Sequence, residues 1–220
     1  MDPLTSRRNE ERERRRADIL DAAHRVAAGV GFDALTMDQV ARAARLSRGL
    51  LYVYFEDRGD LHLGLCERAL SLFHSRAAAA AGREANGLDR LLSIGRAYVA
   101  FADEAPVYFE ALARFQAGAG AASQAEGNLP ACLAASDRVF DLIIGLINDG
   151  IEDGSVSPSI GEVRSVAISL WALMHGAIQI ARLKVGVLET QGVTPAGLME
   201  QALGITRVAL SRSEPAGAES

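Results

Sequence analysis

The chain has 220 residues, 49% of them apolar and 5% aromatic, with Ala and Leu plentiful; this favours helices packed through small and aliphatic side chains and is enough for one large domain or a small and a medium one. No apolar run reaches the roughly 18 residues of a membrane span, and the charged start, MDPLTSRRNEERERRRADIL, lacks the apolar core of a signal peptide, so a cytoplasmic protein without a membrane partner is expected. The net charge of −5 argues at first against nucleic acid.

The distribution of charge says more than the sum. Residues 1–60 hold 11 Arg and 11 Asp or Glu, whereas residues 61–220 hold 12 basic and 17 acidic residues, so charge divides the chain in two. Arg7, Arg8, Arg12, Arg14, Arg15 and Arg16 cluster ahead of the first apolar periodicity. Such a run is either a solvated tail or an arm that neutralises phosphates, and residues up to about 12 read as a flexible basic arm. Cys66 and Cys132 lack C-x-x-C spacing, which suggests buried small hydrophobes rather than a disulfide framework or a zinc site.

Ile19, Leu20, Ala23, Val26 and Ala27 recur at helical spacing, and Gly29 and Gly31 end the pattern, predicting a first helix over about 11–29. Thr36 is a good N-cap for a second helix whose narrow apolar face is Val40, Ala41 and Ala44. Ser47 opens a third of about two turns, RGLLYVYF, with Leu46, Leu51 and Phe55 inward and Arg48, Gly49, Tyr52 and Tyr54 on or beside the outer surface. Short helix, tight turn, short helix is a helix-turn-helix pattern. A long helix then begins near Asp60.

Further stripes follow: Leu61 to Phe73, then Leu91 to Phe101 after a break at GREANG, then a short helix opened by Pro106. GAGAASQAEGN reads as a linker, and Leu133 to Ile147 as a strong stripe that stops at EDGSVSPS. Two helices over about 161–186 and 194–211 come next, and the tail from 213 to 220 reads as disordered. The expected fold class is all-α: a three-helix helix-turn-helix domain over 1–62, then a second helical domain over 63–212.

The segment ILDAAHRVAAGVGFDALTMDQVARAARLSRGLLYVYFEDRGDL resembles the N-terminal DNA-binding domain of TetR-type transcriptional regulators. Its order carries the resemblance: helix, G-x-G-F, Thr cap, short helix, Ser-led short helix, Tyr-x-Tyr-Phe, acid-x-basic, Leu. The resemblance implies a homodimer that puts the Ser47–Phe55 helix into the major groove of a palindromic operator, while the remaining helices sense a small molecule and dimerise.

Residue chemistry agrees. Arg48 can reach guanine O6 and N7 in bidentate fashion, a pair worth about 1–3 kcal/mol of discrimination. Gly49 and the adjoining Leu50 allow close backbone approach, and the Tyr52 and Tyr54 hydroxyls suit phosphates. Arg58, where the family commonly has lysine, suits a phosphate clamp, as Thr36 and Ser47 suit caps that also meet phosphate. Arg45 in the turn is a further candidate, and Met37 could read a thymine methyl.

Candidate effector-binding residues are Phe73, Tyr98, Phe101, Tyr108, Phe109, Phe115, Phe140, Trp171, Met174, His175 and Gln179, which imply a small, largely apolar effector. The last two long helices carry Val163, Val166, Ile168, Leu170, Leu173, Ile178, Leu198, Leu203 and Val208 on more than one side, the pattern of a helix pair that meets its copy in a dimer. His24, His62, His74 and His175 are scattered, and no H-E-x-x-H, G-x-S-x-G, P-loop or dinucleotide motif occurs, so neither catalysis, a metal nor a cofactor is expected. The alternative is a helical adaptor whose helix-turn-helix no longer binds DNA.

Overall fold

The computed structural model describes residues 3–115 and 127–212. The expected linker at 118–128 falls mostly outside them, and the tail at 213–220 wholly so. Ten helices occur among the described residues: α1 (Pro3–Ala34), α2 (Met37–Ala43), α3 (Arg48–Tyr54), α4 (Arg58–Ala81), α5 (Gly87–Glu104), α6 (Pro106–Ala113), α7 (Leu129–Asp153), α8 (Val163–Leu183), α9 (Val185–Thr190) and α10 (Pro195–Leu210). The one β feature among them is an isolated antiparallel bridge between Val156 and Ser211.

The chain forms two compact units. The first comprises Met1–Ser71 and Ala105–Ser136, the second Leu72–Glu104 and Asp137–Ser220. The first is thus built from two separate stretches and takes in α6 and the start of α7, beyond the expected boundary at residue 62.

In the first unit, α1 starts well before residue 11, because the arginine-rich segment is itself helical from Pro3. Alternating charge gives no apolar periodicity, so the pattern of buried residues could not reveal it. At the other end, Gly31 adopts φ 77°, ψ 165°, a non-helical conformation open to glycine and strained for other residues, so the helix breaks in a kink there, close to the expected end, before a last turn to Ala34. The core beneath is Ile19, Leu20, Ala23, Val40, Leu51, Phe55, Leu61 and Leu65, all essentially without solvent contact. Each fully buried Leu, Ile or Phe among them contributes about 1.5–3 kcal/mol.

In the second unit, α5, α8 and α10 pack on one another. Their termini are capped: Asn86 Oδ1 accepts from the Asp89 N–H at 2.9 Å, the Glu162 carboxylate from the Arg164 and Ser165 N–H groups at 2.9 and 2.6 Å, and Thr194 Oγ1 from the Gly197 N–H at 3.0 Å. The sequence pattern missed α9, whose six residues are too few for a period to register. A second correction concerns α8, which by length and composition is apolar enough to cross a membrane, contrary to the expectation that no stretch would be. One of its faces is buried by Ala167, Met174, Ala177 and Ile178, while Ile168, Trp171, Ile180 and Leu183 stay exposed.

Candidate nucleic-acid interface

Two short helices are fixed by side-chain caps. Thr36 forms a full capping box: its Oγ1 accepts from the Gln39 N–H at 3.3 Å, and Gln39 Oε1 accepts from the Thr36 N–H at 2.8 Å. Ser47 Oγ accepts from the Leu50 N–H at 3.2 Å and starts α3.

The turn between them is a Schellman motif. The Leu46 N–H donates to the Ala41 carbonyl at 2.9 Å and the Arg45 N–H to the Arg42 carbonyl at 3.1 Å, with Arg45 at φ 58° in the left-handed position that glycine usually fills. This turn holds α3 against α2 with Leu51 and Phe55 driven into the core.

What α3 leaves outside is Arg48, Gly49, Leu50, Tyr52 and Val53. No atom lies within 4 Å of where a Gly49 Cβ would stand, so this face is open. The Arg48 guanidinium rests 3.3 Å from Asp38 Oδ1 and 5.6 Å from the Tyr52 ring centroid; the Tyr52 hydroxyl first, then Asp38, raise its pKa above the usual arginine value.

Two expectations need correction. Met37 is 8% exposed and lies in the core of the first unit, so its thioether is not available to a base edge. Of the two tyrosines expected on or beside the outer surface, Tyr52 is 39% exposed, while Tyr54 packs against the core. The α3 register decides this, because Tyr54 lies one turn after the inward Leu51.

Arg58 opens α4 and remains exposed, yet it also donates from Nη1 to the Asp33 carbonyl at 3.2 Å. Asp33 in turn takes both guanidinium nitrogens of Arg114, at 2.7 and 3.0 Å, and this pairing holds its carboxyl below the usual range. Nothing local in the sequence marks Arg114, which is 81 residues away along the chain. Behind α3, Arg16 sits 5.8 Å from the Phe55 ring centroid and donates to Glu67 at 3.0 Å and to Asn128 Oδ1 at 2.6 Å.

The candidate effector residues divide between the units. Phe109 and Phe115, with Tyr108, belong to the first, where Tyr108 and Phe115 pack against its core and Tyr108 meets the His24 ring at 4.7 Å. Phe73, Tyr98, Phe101, Phe140, Trp171, Met174, His175 and Gln179 belong to the second. There Phe73 lies 4.8 Å from Tyr98 and 5.6 Å from Phe101, and Trp171 lies 6.2 Å from Phe140, between ring centroids.

His175 joins these rings. Its Nδ1 is 2.7 Å from the Tyr98 hydroxyl and its Nε2 2.9 Å from the Gln179 amide nitrogen. Burial lowers the His175 pKa and raises that of the Tyr98 phenol, so both groups are neutral near pH 7.

A capped three-helix head with an open polar helix face is that of a helix-turn-helix DNA-binding protein. Residues 19–64 match the model of the bacterial regulatory proteins of the tetR family, and residues 91–189 that of the Tetracyclin repressor-like C-terminal domain, together about two thirds of the chain. The chain belongs to the TetR family of transcriptional regulators.

Among solved structures, it resembles a protein of unknown function from Rhodococcus sp. RHA1 (23% identity, 90% of this chain and 96% of that one, TM-score 0.72). It also resembles the transcriptional regulator FadR from Bacillus subtilis, solved in complex with stearoyl-CoA (16%, 88% and 98%, TM-score 0.67). A third is a ketosteroid transcriptional regulator of Mycobacterium tuberculosis (19%, 90% and 96%, TM-score 0.62). At these identities the likeness is one of fold. No curated protein matches the sequence.

Proposed function

We propose that the protein is a homodimeric, ligand-responsive repressor that holds two copies of α3 about one DNA turn apart, or a multiple of it, on a palindromic operator and releases it when a small, largely apolar effector binds. The observation that carries this reading is the open face of α3, with Arg48 poised between Asp38 and Tyr52 on a helix fixed at both ends. In this reading Arg48 reads a base edge, Gly49 and Leu50 allow close approach, and Thr36, Arg45, Ser47, Tyr52 and Arg58 meet phosphates. Tyr54 serves chiefly to brace the helix.

The first unit is the DNA-reading head and the second the effector-binding and dimerisation body. The aromatic group around Tyr98 and His175 supplies an apolar surface with one neutral polar fixture, which suits an effector with a long or polycyclic apolar part. Two fold neighbours point the same way, one solved with stearoyl-CoA and one described as a ketosteroid regulator. The uncovered apolar faces of α8 and α10, with Leu183 71% and Val208 79% exposed, suit a four-helix interface with a second copy.

The test is selection of duplexes from a random DNA pool by the purified protein at two salt concentrations. A recovered palindrome supports the regulator reading. Recovery of no sequence preference at either salt, with and without long-chain acyl-CoA, favours the adaptor reading.

A further inference from the structure

The N-terminal half of α1 has two unlike faces. One, bordering a recess of about 290 Å³, mixes Arg7, Arg14 and Arg15 with Glu10, Glu11 and Asp18, so its charges offset one another. The other carries Arg8, Arg12 and Arg16 at successive i, i+4 positions, with no carboxylate in the stripe.

Arg16 is the rooted end of that stripe, half-buried and bonded to Glu67 and Asn128. Arg12 and Arg8 lie one and two turns further out, both exposed, and no carboxylate of a described residue is within 4 Å of either. The stripe lies on the same side of the head as the reading helix, because Arg12 and Arg16 wall a cleft of about 570 Å³ together with Tyr52, Val53 and Tyr54. Glu13 and Glu56 also border that cleft, so its floor does not favour an anion, whereas the exposed arginines beyond it do.

We propose that Arg8 and Arg12 form a second DNA-contacting element, a rigid helical rail that neutralises backbone phosphates flanking the base pairs read by α3. This rests on the regulator reading above. A helix rises about 1.5 Å per residue, so the two guanidinium groups are spaced by about 6 Å, close to two nucleotide steps at about 3.4 Å each. Held on a helix, they lose less freedom on binding than they would on a disordered arm. Their contribution is to affinity and register rather than to base choice.

The test uses the full-length protein and a duplex that the wild type recovers from a random pool, with ten base pairs beyond each half-site. Each phosphate neutralised contributes about 0.9 to the slope of log affinity against log salt, so a dimer lacking four such contacts in Arg8→Ala/Arg12→Ala should lose about three to four from that slope. Across 50 to 200 mM salt, the wild type's loss of affinity should then shrink by about 100-fold in the variant. The recovered sequence should not change. Arg8→Lys/Arg12→Lys, which keeps the charge, should keep the slope, and methylphosphonate linkages in the flanks should lower wild-type affinity while leaving the alanine variant unaffected.

An unchanged slope in the alanine variant, or equal sensitivity of both proteins to neutral flanks, overturns the rail while leaving the regulator reading intact. If the wild type shows no sequence-selective binding at all, the regulator reading itself fails.

Discussion

Asp60 and Asn128 are joined twice: Oδ1 of Asp60 accepts the Asn128 main-chain N–H at 2.6 Å and its side-chain amide at 2.9 Å. The other oxygen of Asp60 accepts from the Glu56 N–H at 3.1 Å, and the Asp60 N–H donates to Asp57 at 2.8 Å. One nearly buried carboxylate therefore ties the start of α4 to the residue that precedes α7. Gly127 is needed beside it, since a Cβ there would meet Asp60 Oδ1 at 2.5 Å.

Replacing Asp60 by Ala leaves three donors in the interior without their acceptor. Hydrogen bonds to charged groups are worth about 1.5–3 kcal/mol each, and water recovers part of the loss, so we expect about 3 kcal/mol of destabilisation by urea unfolding. Asn128→Ala should lose less, and the double mutant should fall short of the sum by more than 0.5 kcal/mol, the mark of a direct contact.

Arg48→Ala and Arg58→Ala should differ in kind. The first should relax base preference at one position of each half-site by about 1–3 kcal/mol. The second should weaken all duplexes alike and lower the salt slope by about one per protomer. Competition against single-substituted duplexes separates the two, and an Arg48→Ala variant with an unaltered preference would remove the base contact from the reading.

Arg45 holds the left-handed position of the helix-turn-helix turn, where a side chain costs roughly 1–2 kcal/mol. Glycine gains back most of this and loses part to its greater freedom in the unfolded chain, so Arg45→Gly should stabilise the protein by about 0.5–1 kcal/mol. If Arg45 also meets phosphate, DNA affinity will fall while the melting temperature rises.

Burial lowers the pKa of His24, His62 and His175, desolvation being the largest cause in each. A depressed histidine stays neutral in the folded state while its unfolded counterpart takes up a proton below about pH 6.5, so the unfolded state binds more protons there. The stability that these groups contribute is present above about pH 6.5 and is lost as pH falls toward their folded values. Thermal melts from pH 7.5 to 5 should show a falling melting temperature, with a shallower fall in His62→Gln, which keeps a donor for the Ala111 carbonyl now 2.9 Å from Nε2.

Val208→Glu places a charge on the most exposed large apolar side chain of α10. If the α8 and α10 faces meet a second copy, sedimentation at micromolar concentration should shift to half the mass with helix content retained, and operator affinity should collapse.

The helix-turn-helix was legible because its signals are local: a Thr and a Ser at cap positions, and apolar residues on a short period. The inward Leu51 and Phe55 followed from the same period, as did the outward Arg48. Met37 was misread because the first turn of α2 packs inward at a residue that its cap alone does not orient. Asp60, Asn128, Asp33 and Arg114 were not legible at all, since each partner lies 68 or 81 residues from the other. The arginine rail was visible as composition but not as a helix, because charged residues mark no buried face.

The head is made of two stretches of chain, and several polar joints run from one to the other: Asp33 to Arg114, Asp60 to Asn128, and His62 and Cys66 to the Ala111 carbonyl. A single genetic crossover after residue 71 would carry one half of each of these joints into a foreign chain and leave the other half behind. Recombination between relatives therefore keeps these joints whole only when residues 105–136 travel with the N-terminal segment. For the same reason, a chimaera that keeps this head intact needs a two-piece graft.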